Sequence, residues 1–251
     1  RSPQPVSADI VLIHVPSTAE DIENAVSVLK GLKAKMIIAP VSRRESYMLS
    51  DTQHVLLIPR TGFKPDSDGV IRTLKIPGKL FKLLDLPENL EIPESSLINF
   101  RGPAESFSFI HFFELMSQKV LPSTVRNKIV ILNLQDQETE PYASPVGDLP
   151  PAYILANMID NVLLQRWIQP IALYVNIIIL FLLSLLIGLT VMALSSNIAL
   201  LGLLIITATL TSFGFFIFDQ FYFWLPLGAF LAHICLTYVI FVIYKLSKKE
   251  Q

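Results

Sequence analysis

Few residues in this chain combine a type and a spacing that would do chemistry. Asp68-Gly69, with Arg72 three residues further on, presents an acid and a base at a turn. Such a pair would grip a ligand carrying both charges. Asp-Gly is equally an ordinary turn signal, which makes the same residues a turn and a surface strand. Asn99 and Arg101 precede Gly102-Pro103 at the end of an apolar run. Parallel sheets bind ligands at strand ends, and the guanidinium fork of Arg101 suits a carboxylate or phosphate. The alternative is a capped strand exit with Arg101 paired to a nearby acid. Asp68, Arg72, Asn99 and Arg101 are therefore the candidate ligand-binding residues. His14, His54 and His111 are far apart and lack ligand spacing, so each reads as structural, and neither a metal nor a cofactor is expected. Asp136, Glu138 and Glu140 form an acidic loop that reads as solvated charge, with cation binding as the alternative. There is no GxSxG, HExxH, P-loop or GxGxxG pattern, and no nucleophile and base in a defensible order. A non-enzymatic protein is expected.

The elements that must position these residues fall into two compositional parts. The chain is 52% hydrophobic and 16% charged, and residues 167–218 contain no Asp, Glu, Lys or Arg. Apart from Asp219 the uncharged stretch continues to Tyr244. About 20 apolar residues cross a bilayer, and a lipid bilayer is the partner this block requires. Three of the 20 basic residues and two of the 21 acidic ones lie in or beyond the block, leaving 17 and 19 before it. That balance excludes a nucleic-acid binder, which would show a basic face. The single cysteine, Cys235, lies inside the apolar block, so no disulfide framework exists.

Residues 1–151 read as an extracytoplasmic α/β domain with a mostly parallel sheet. Residues 9–15 (DIVLIHV) and 36–41 (MIIAPV) are buried strands, joined by a helix that Ser17 or Thr18 would cap and Gly31 would end. This βαβ unit makes the two strands parallel. Further strands are expected at 54–59, 70–76, 96–100 and 128–134. Helices are expected at 109–118, with an aromatic face of Phe109, Phe112, Phe113 and Met116, and from Pro77-Gly78 through Phe81 and Leu84. Pro150-Pro151 open a connecting helix over 152–170, with Ile154, Leu155, Met158, Ile159, Val162 and Trp167 in one stripe. Pro170 would break or kink it.

Residues 171–251 read as an all-α three-helix transmembrane bundle with spans at 171–194, 198–217 and 221–244. Ser195-Ser196-Asn197 and Phe218-Asp219-Gln220 would be the turns. Lys245, Lys248 and Lys249 place the tail in the cytoplasm by the positive-inside rule, and residues 1–170 on the other side. Trp167 with Tyr222-Phe223-Trp224 would form an outer aromatic belt. Within the spans, Asn176 and His233 need hydrogen-bond partners, while Gly228 and Ala232 make a small-xxx-small packing face. That face would serve the bundle or a homo-oligomer. Gly202 and Gly214 thin the second span. The spans hold no charged pathway, which argues against transport.

The outer domain resembles the second type of CHASE domain, the extracellular sensory module associated with cyclases and histidine kinases. The resemblance rests on residues 66–72 (DSDGVIR), 97–103 (LINFRGP), 127–132 (NKIVIL) and 144–147 (SPVG), on the helix that follows, and on the three spans after it. It implies a bacterial sensory or regulatory protein of the inner membrane, signalling to a protein partner in the membrane or periplasm, or to a cytoplasmic output. Family members usually carry a membrane helix before the sensory domain and an output domain after the spans. The second reading is an assembly subunit of an envelope complex, docking proteins through its outer domain and spans.

Overall fold

The computed structural model describes residues 9–41, 55–59, 63, 65–76, 80, 84, 86, 90–102, 106–135 and 140–249. His54, Asp136, Glu138 and most of the helix expected after Pro77 lie outside these. The chain divides between Trp167 and Ile168 into two compact units.

The first unit is built on a five-stranded parallel sheet in the order β3-β2-β5-β1-β4. The strands are β1 Ile10–Pro16, β2 Met36–Val41, β3 Val55–Pro59, β4 Phe109–His111 and β5 Ile129–Gln135. Their near-continuous apolar runs suit strands covered on both faces. Helix α1, Ala19–Gly31, follows β1, and its Thr18 cap accepts a hydrogen bond from the Asp21 amide at 3.2 Å. The helix ends at Gly31 as expected, while the left-handed conformation that follows it is taken by Lys33, at φ 59°. One face of the sheet buries Val11, Ile13, Val15, Val130 and Leu132 against Ile22, Ala25, Val26 and Leu29 of α1. The short helices α2, Phe112–Met116, and α3, Pro122–Val125, contribute Leu115 and Val125 to the same core. The opposite face buries Ile10, Leu12, Ile38, Ile129 and Ile131 against helix α4, Pro151–Leu163.

Three expectations for this unit differ from the structure. Phe109–His111 form a strand rather than the first turn of a helix, because β1 has a second edge to satisfy. They pair in register with Leu12, Ile13 and His14, and the Leu12 amide bonds Ser108 O at 3.0 Å. Residues 70–76 and 96–100 join no sheet and share only an isolated bridge between Thr73 and Leu97. Part of their backbone bonding goes instead to α4, described below. Finally, α4 ends at Leu163, with Gln165 at φ 51°, and does not run on to the membrane segment. An unanticipated hairpin, β6 Tyr142–Ser144 with β7 Gly147–Leu149, precedes it.

The second unit contains α5 Leu173–Ala193, α6 Ser196–Phe221 and α7 Leu227–Lys249. Each is long and apolar enough to cross a membrane. Phe181, Phe215 and Leu236 are all more than 60% exposed, a pattern suited to lipid and not to water. The second turn is not Phe218–Gln220, since nothing there breaks a helix. α6 continues to Phe221, Tyr222 closes it in the left-handed conformation, and Pro226 immediately precedes α7. Between them β9, Phe223–Trp224, pairs with β8, Gln169–Pro170, so the chain leading into α5 is bonded to the α6–α7 connection. The Gln169 amide reaches Tyr222 O at 2.9 Å.

Candidate functional site

The polar residues of the first unit gather in three places. Asp68 and Arg72 form a two-pronged ion pair at 2.9 and 2.8 Å, joined by Asp66 at 3.3 Å. Gly69, at φ 81°, supplies the turn that brings them together. Arg72 holds the Asp68 carboxyl down to about 2, first through its hydrogen bond, with the Val70 amide second. Both groups face solvent, so the pair shapes a turn and contributes little stability.

Asn99 and Arg101 are buried, at 8% and 5% exposure, and tied to α4. Arg101 Nε donates to Asp160 Oδ2 at 2.7 Å, with the two side chains 2% and 0% exposed. Asn161 brackets Asn99 as a strand would: its Oδ1 accepts from the Asn99 amide at 2.6 Å and its Nδ2 donates to the Asn99 carbonyl at 3.0 Å. Asn157 Oδ1 accepts from the Arg101 amide at 3.0 Å, and Asn99 Nδ2 donates to the Arg166 carbonyl at 3.0 Å. Asn157, Asp160 and Asn161 stand at i, i+3 and i+4, so they share one face of α4. They replace a sheet neighbour for the extended segment 99–101. The sequence carried a signal for this: three amide or carboxyl side chains at helical spacing within an otherwise apolar helix. Reading only the apolar stripe of that helix missed it.

The third group lies at the C-terminal ends of the strands, where His14, His111 and Asn133 occupy one row across β4, β1 and β5. His14 and His111, 97 residues apart in sequence and without ligand spacing, have ring centroids 5.9 Å apart. Tyr153 from the first turn of α4 places its hydroxyl 3.0 Å from His14 Nε2. Phe109 packs at 5.4 Å from His14 and 5.1 Å from His111. Burial, and behind it the charge of His111, hold the His14 imidazole below its usual value, so neutral His14 is favoured. His111 and Phe109 are exposed, which opens the cluster to solvent. Parallel sheets bind ligands at this edge.

In the second unit His233 Nε2 lies 2.7 Å from Ser184 Oγ and 3.4 Å from Thr237 Oγ1, linking α7 to α5. Asn176 Nδ2 donates back to the Ile171 carbonyl at 3.3 Å. Gly228 has open space around its Cα, and Ala232 is exposed, so this pair faces away from the bundle core formed by Leu183, Ile187, Val191, Ala199 and Ile234. Two glycines of the bundle are tight: Gly188, not singled out from the sequence, lies under the ring of Phe241, and Gly214, expected to thin the second span, lies against Leu227. Lys245 donates to the Val191 and Leu194 carbonyls at the end of α5, a cation on a helix C-terminus.

A family model for the CHASE2 domain matches residues 41–190, more than half of the chain. The chain belongs to the CHASE2 family. CHASE2 is a sensory domain, and its combination here with three membrane-length helices describes a membrane sensory protein. The CHASE2 match includes His111, Tyr153, Asn99, Arg101 and Asp160, and it begins at the last residue of β2, after all of β1 and α1. His14, on the central strand, is thus supplied from outside the matched range. No curated protein and no solved structure matches the chain.

Proposed function

We propose that this protein receives a signal on its CHASE2 domain outside the cytoplasm and passes it through α4 into the three spans, changing the activity of a protein partner on the cytoplasmic side of a bacterial inner membrane. The observation that carries this reading is the network joining Asn99 and Arg101 to Asn157, Asp160 and Asn161. It gives α4 two neighbours of different chemistry, an apolar sheet on one side and a polar strap on the other. The His14 and Tyr153 cluster sits at the start of the same helix. Ligand binding there acts on the end of α4, and the strap resists or follows. The chain after α4 leads within ten residues to α5, and β8 ties that connection to β9 between α6 and α7. A displacement of residues 169–171 is therefore shared by all three helices. Binding shifts such an equilibrium only by its differential affinity for the two states. Lys245, Lys248 and Lys249 after the last span support a cytoplasmic C-terminus.

Hydrogen exchange on the full chain in nanodiscs tests the coupling. Asn161→Ala loosens the strap, and faster exchange is expected both in 152–163 and in 168–175 with 222–226. Faster exchange confined to 152–163 would refute transmission. A second reading, an assembly subunit of an envelope complex, draws on Phe113 and Leu121, 71% and 69% exposed on the outer domain. Stoichiometric capture of a partner that depends on Phe113 and Leu121, with no response of the spans to loosening of the strap, would favour it.

A further inference from the structure

We propose that the groove between the end of α1 and the α2–α3 connection docks a partner protein, which inserts apolar side chains from a segment bordered by Asp and Glu. The inference goes beyond the sensory reading, since this side of the sheet is the one away from α4. Val28, Gly31 and Leu32 form one wall and Leu115, Val120 and Pro122 the other, around a cavity of about 380 Å³. A Cβ placed on Gly31 meets no heavy atom within 4 Å, so the groove is open down to the helix backbone at that point. Leu121, between two of the wall residues, is exposed, and so is Phe113, whose ring lies 5.8 Å from the Lys119 ammonium. Apolar surface left in water and rimmed by polar groups marks an interaction site.

Charge decides the kind of partner. Lys33 follows Leu32 of the groove, Lys119 lies between Gln118 and Val120, and the Arg126 amide bonds the Pro122 carbonyl at 2.8 Å. The Asn127 amide reaches the Lys33 carbonyl at 3.0 Å and the Lys35 amide the Lys128 carbonyl at 2.9 Å, which joins the ends of α1 and α3. Lys30, Lys33, Lys35, Lys119, Arg126 and Lys128 are thereby collected at one end of the domain, although acids outnumber bases, 19 to 17, before the membrane block. Among the described residues none of the six is in an ion pair. The carboxylate of Glu114 is turned to the His111 amide, at 3.3 Å. The carbonyl end of α1 accounts for Lys30 and Lys33 but not for Lys119, Arg126 and Lys128. Such a field draws in carboxylates and rejects basic partners. An amphipathic helix with Leu or Phe anchors and an acidic border matches both the recess and its rim. A lipid headgroup surface carries the same charge, but it is flat and leaves a recess unfilled.

The test uses the full chain in nanodiscs of phosphatidylcholine and a random peptide library displayed on phage. Gly31→Leu serves for counterselection: it fills the groove from a position with open space, so the domain keeps its fold. Peptides recovered on the unaltered chain and lost on Gly31→Leu are expected to carry Leu, Phe or Met flanked by Asp or Glu. A synthetic copy of the leading peptide, followed by fluorescence polarisation, should bind more weakly as salt is raised. It should bind about tenfold more weakly to the triple variant Lys33→Asn, Lys119→Gln, Arg126→Gln, in which Asn suits the left-handed conformation at residue 33. Recovery of no peptide, recovery of peptides without acidic residues, or equal binding by Gly31→Leu would overturn the assignment. So would equal peptide recovery on the unaltered and triple-variant chains with loss of binding to phosphatidylglycerol vesicles by the triple variant, which would make the basic end a lipid-facing surface. The hydrogen-exchange response to Asn161→Ala does not involve this groove, so the sensory reading survives or falls on its own measurement.

Discussion

Asp160→Ala puts the central contact under direct strain. The substitution leaves the Arg101 guanidinium inside the domain without the carboxylate that compensates it. The two side chains are 2% and 0% exposed and their contact is 2.7 Å, so solvent screens little of the lost interaction. Removing one partner of a buried pair costs about 3–5 kcal/mol. For a unit of this size each kcal/mol lowers the midpoint by about 2–4 °C, so the first unit should melt about 6–20 °C earlier. Replacing both partners with apolar residues of similar volume, Arg101→Met with Asp160→Leu, removes the charge along with its partner. That double variant should recover to within about 1 kcal/mol of the unaltered chain. Thermal unfolding followed by circular dichroism of the unaltered chain, Arg101→Met, Asp160→Leu and the double variant gives the coupling as a double-mutant cycle. A cost below about 1 kcal/mol for Asp160→Ala would refute the reasoning. A double variant that melts below both single variants would refute it as well.

Three further outcomes follow from the geometry. Gly188→Ala places a Cβ 2.6 Å from Phe241 Cζ, so the ring must turn away and α5 and α7 separate; a loss of about 1–3 kcal/mol is expected in bundle stability, and Phe241→Leu in the same chain should restore most of it. The Asp68 carboxyl lies at about 2 in the fold against 3.8 otherwise, so between those values the unfolded chain binds more protons and stability rises with pH. Asp68→Asn should flatten that segment of an acid-unfolding curve by removing a small stabilisation present above 3.8, leave the behaviour below about 2 unchanged, and lose its effect in high salt. Lys245→Met removes the ammonium from the last carbonyls of α5, and faster hydrogen exchange should appear at residues 191–196 and not at the opposite end of that helix.

Much of this architecture was legible in the residues, for physical reasons that differ by element. The strands at 10–16, 36–41 and 129–135 are continuous apolar runs because a parallel sheet is covered on both faces, and the three spans are visible because lipid tolerates no charge. A cap at Ser17 or Thr18 was legible from their hydroxyls, and the structure gives the role to Thr18. What escaped depends on partners distant in sequence. Residues 109–111 carry a periodicity too short to separate strand from helix, and only the open edge of β1 decides it. Segment 96–101 looked like a strand because it is apolar and extended, yet part of its hydrogen bonding goes to the side chains of Asn157 and Asn161, 56 and 62 residues away. Arg101 had two readings from sequence, ligand grip or structural pair, and the carboxylate it meets, Asp160, was hidden inside a helix read for its apolar face alone. His14 and His111 share no spacing, since strand register and not sequence sets their distance. The second span extends past the expected end at residue 217, because Phe218-Asp219-Gln220 contains nothing that breaks a helix, and Tyr222 in the left-handed conformation closes it.

The proposed topology has the first unit on the opposite side of the membrane from Lys245, Lys248 and Lys249, which intact cells can report. Cys235 is first replaced by Ser to clear the background, and single cysteines are placed at Glu94 and Ser247, both exposed positions. A membrane-impermeant maleimide is expected to label Glu94→Cys once the outer envelope is opened, and Ser247→Cys only after the inner membrane is broken. Labelling of Ser247→Cys in unbroken cells, with Glu94→Cys protected, would contradict the account at its root.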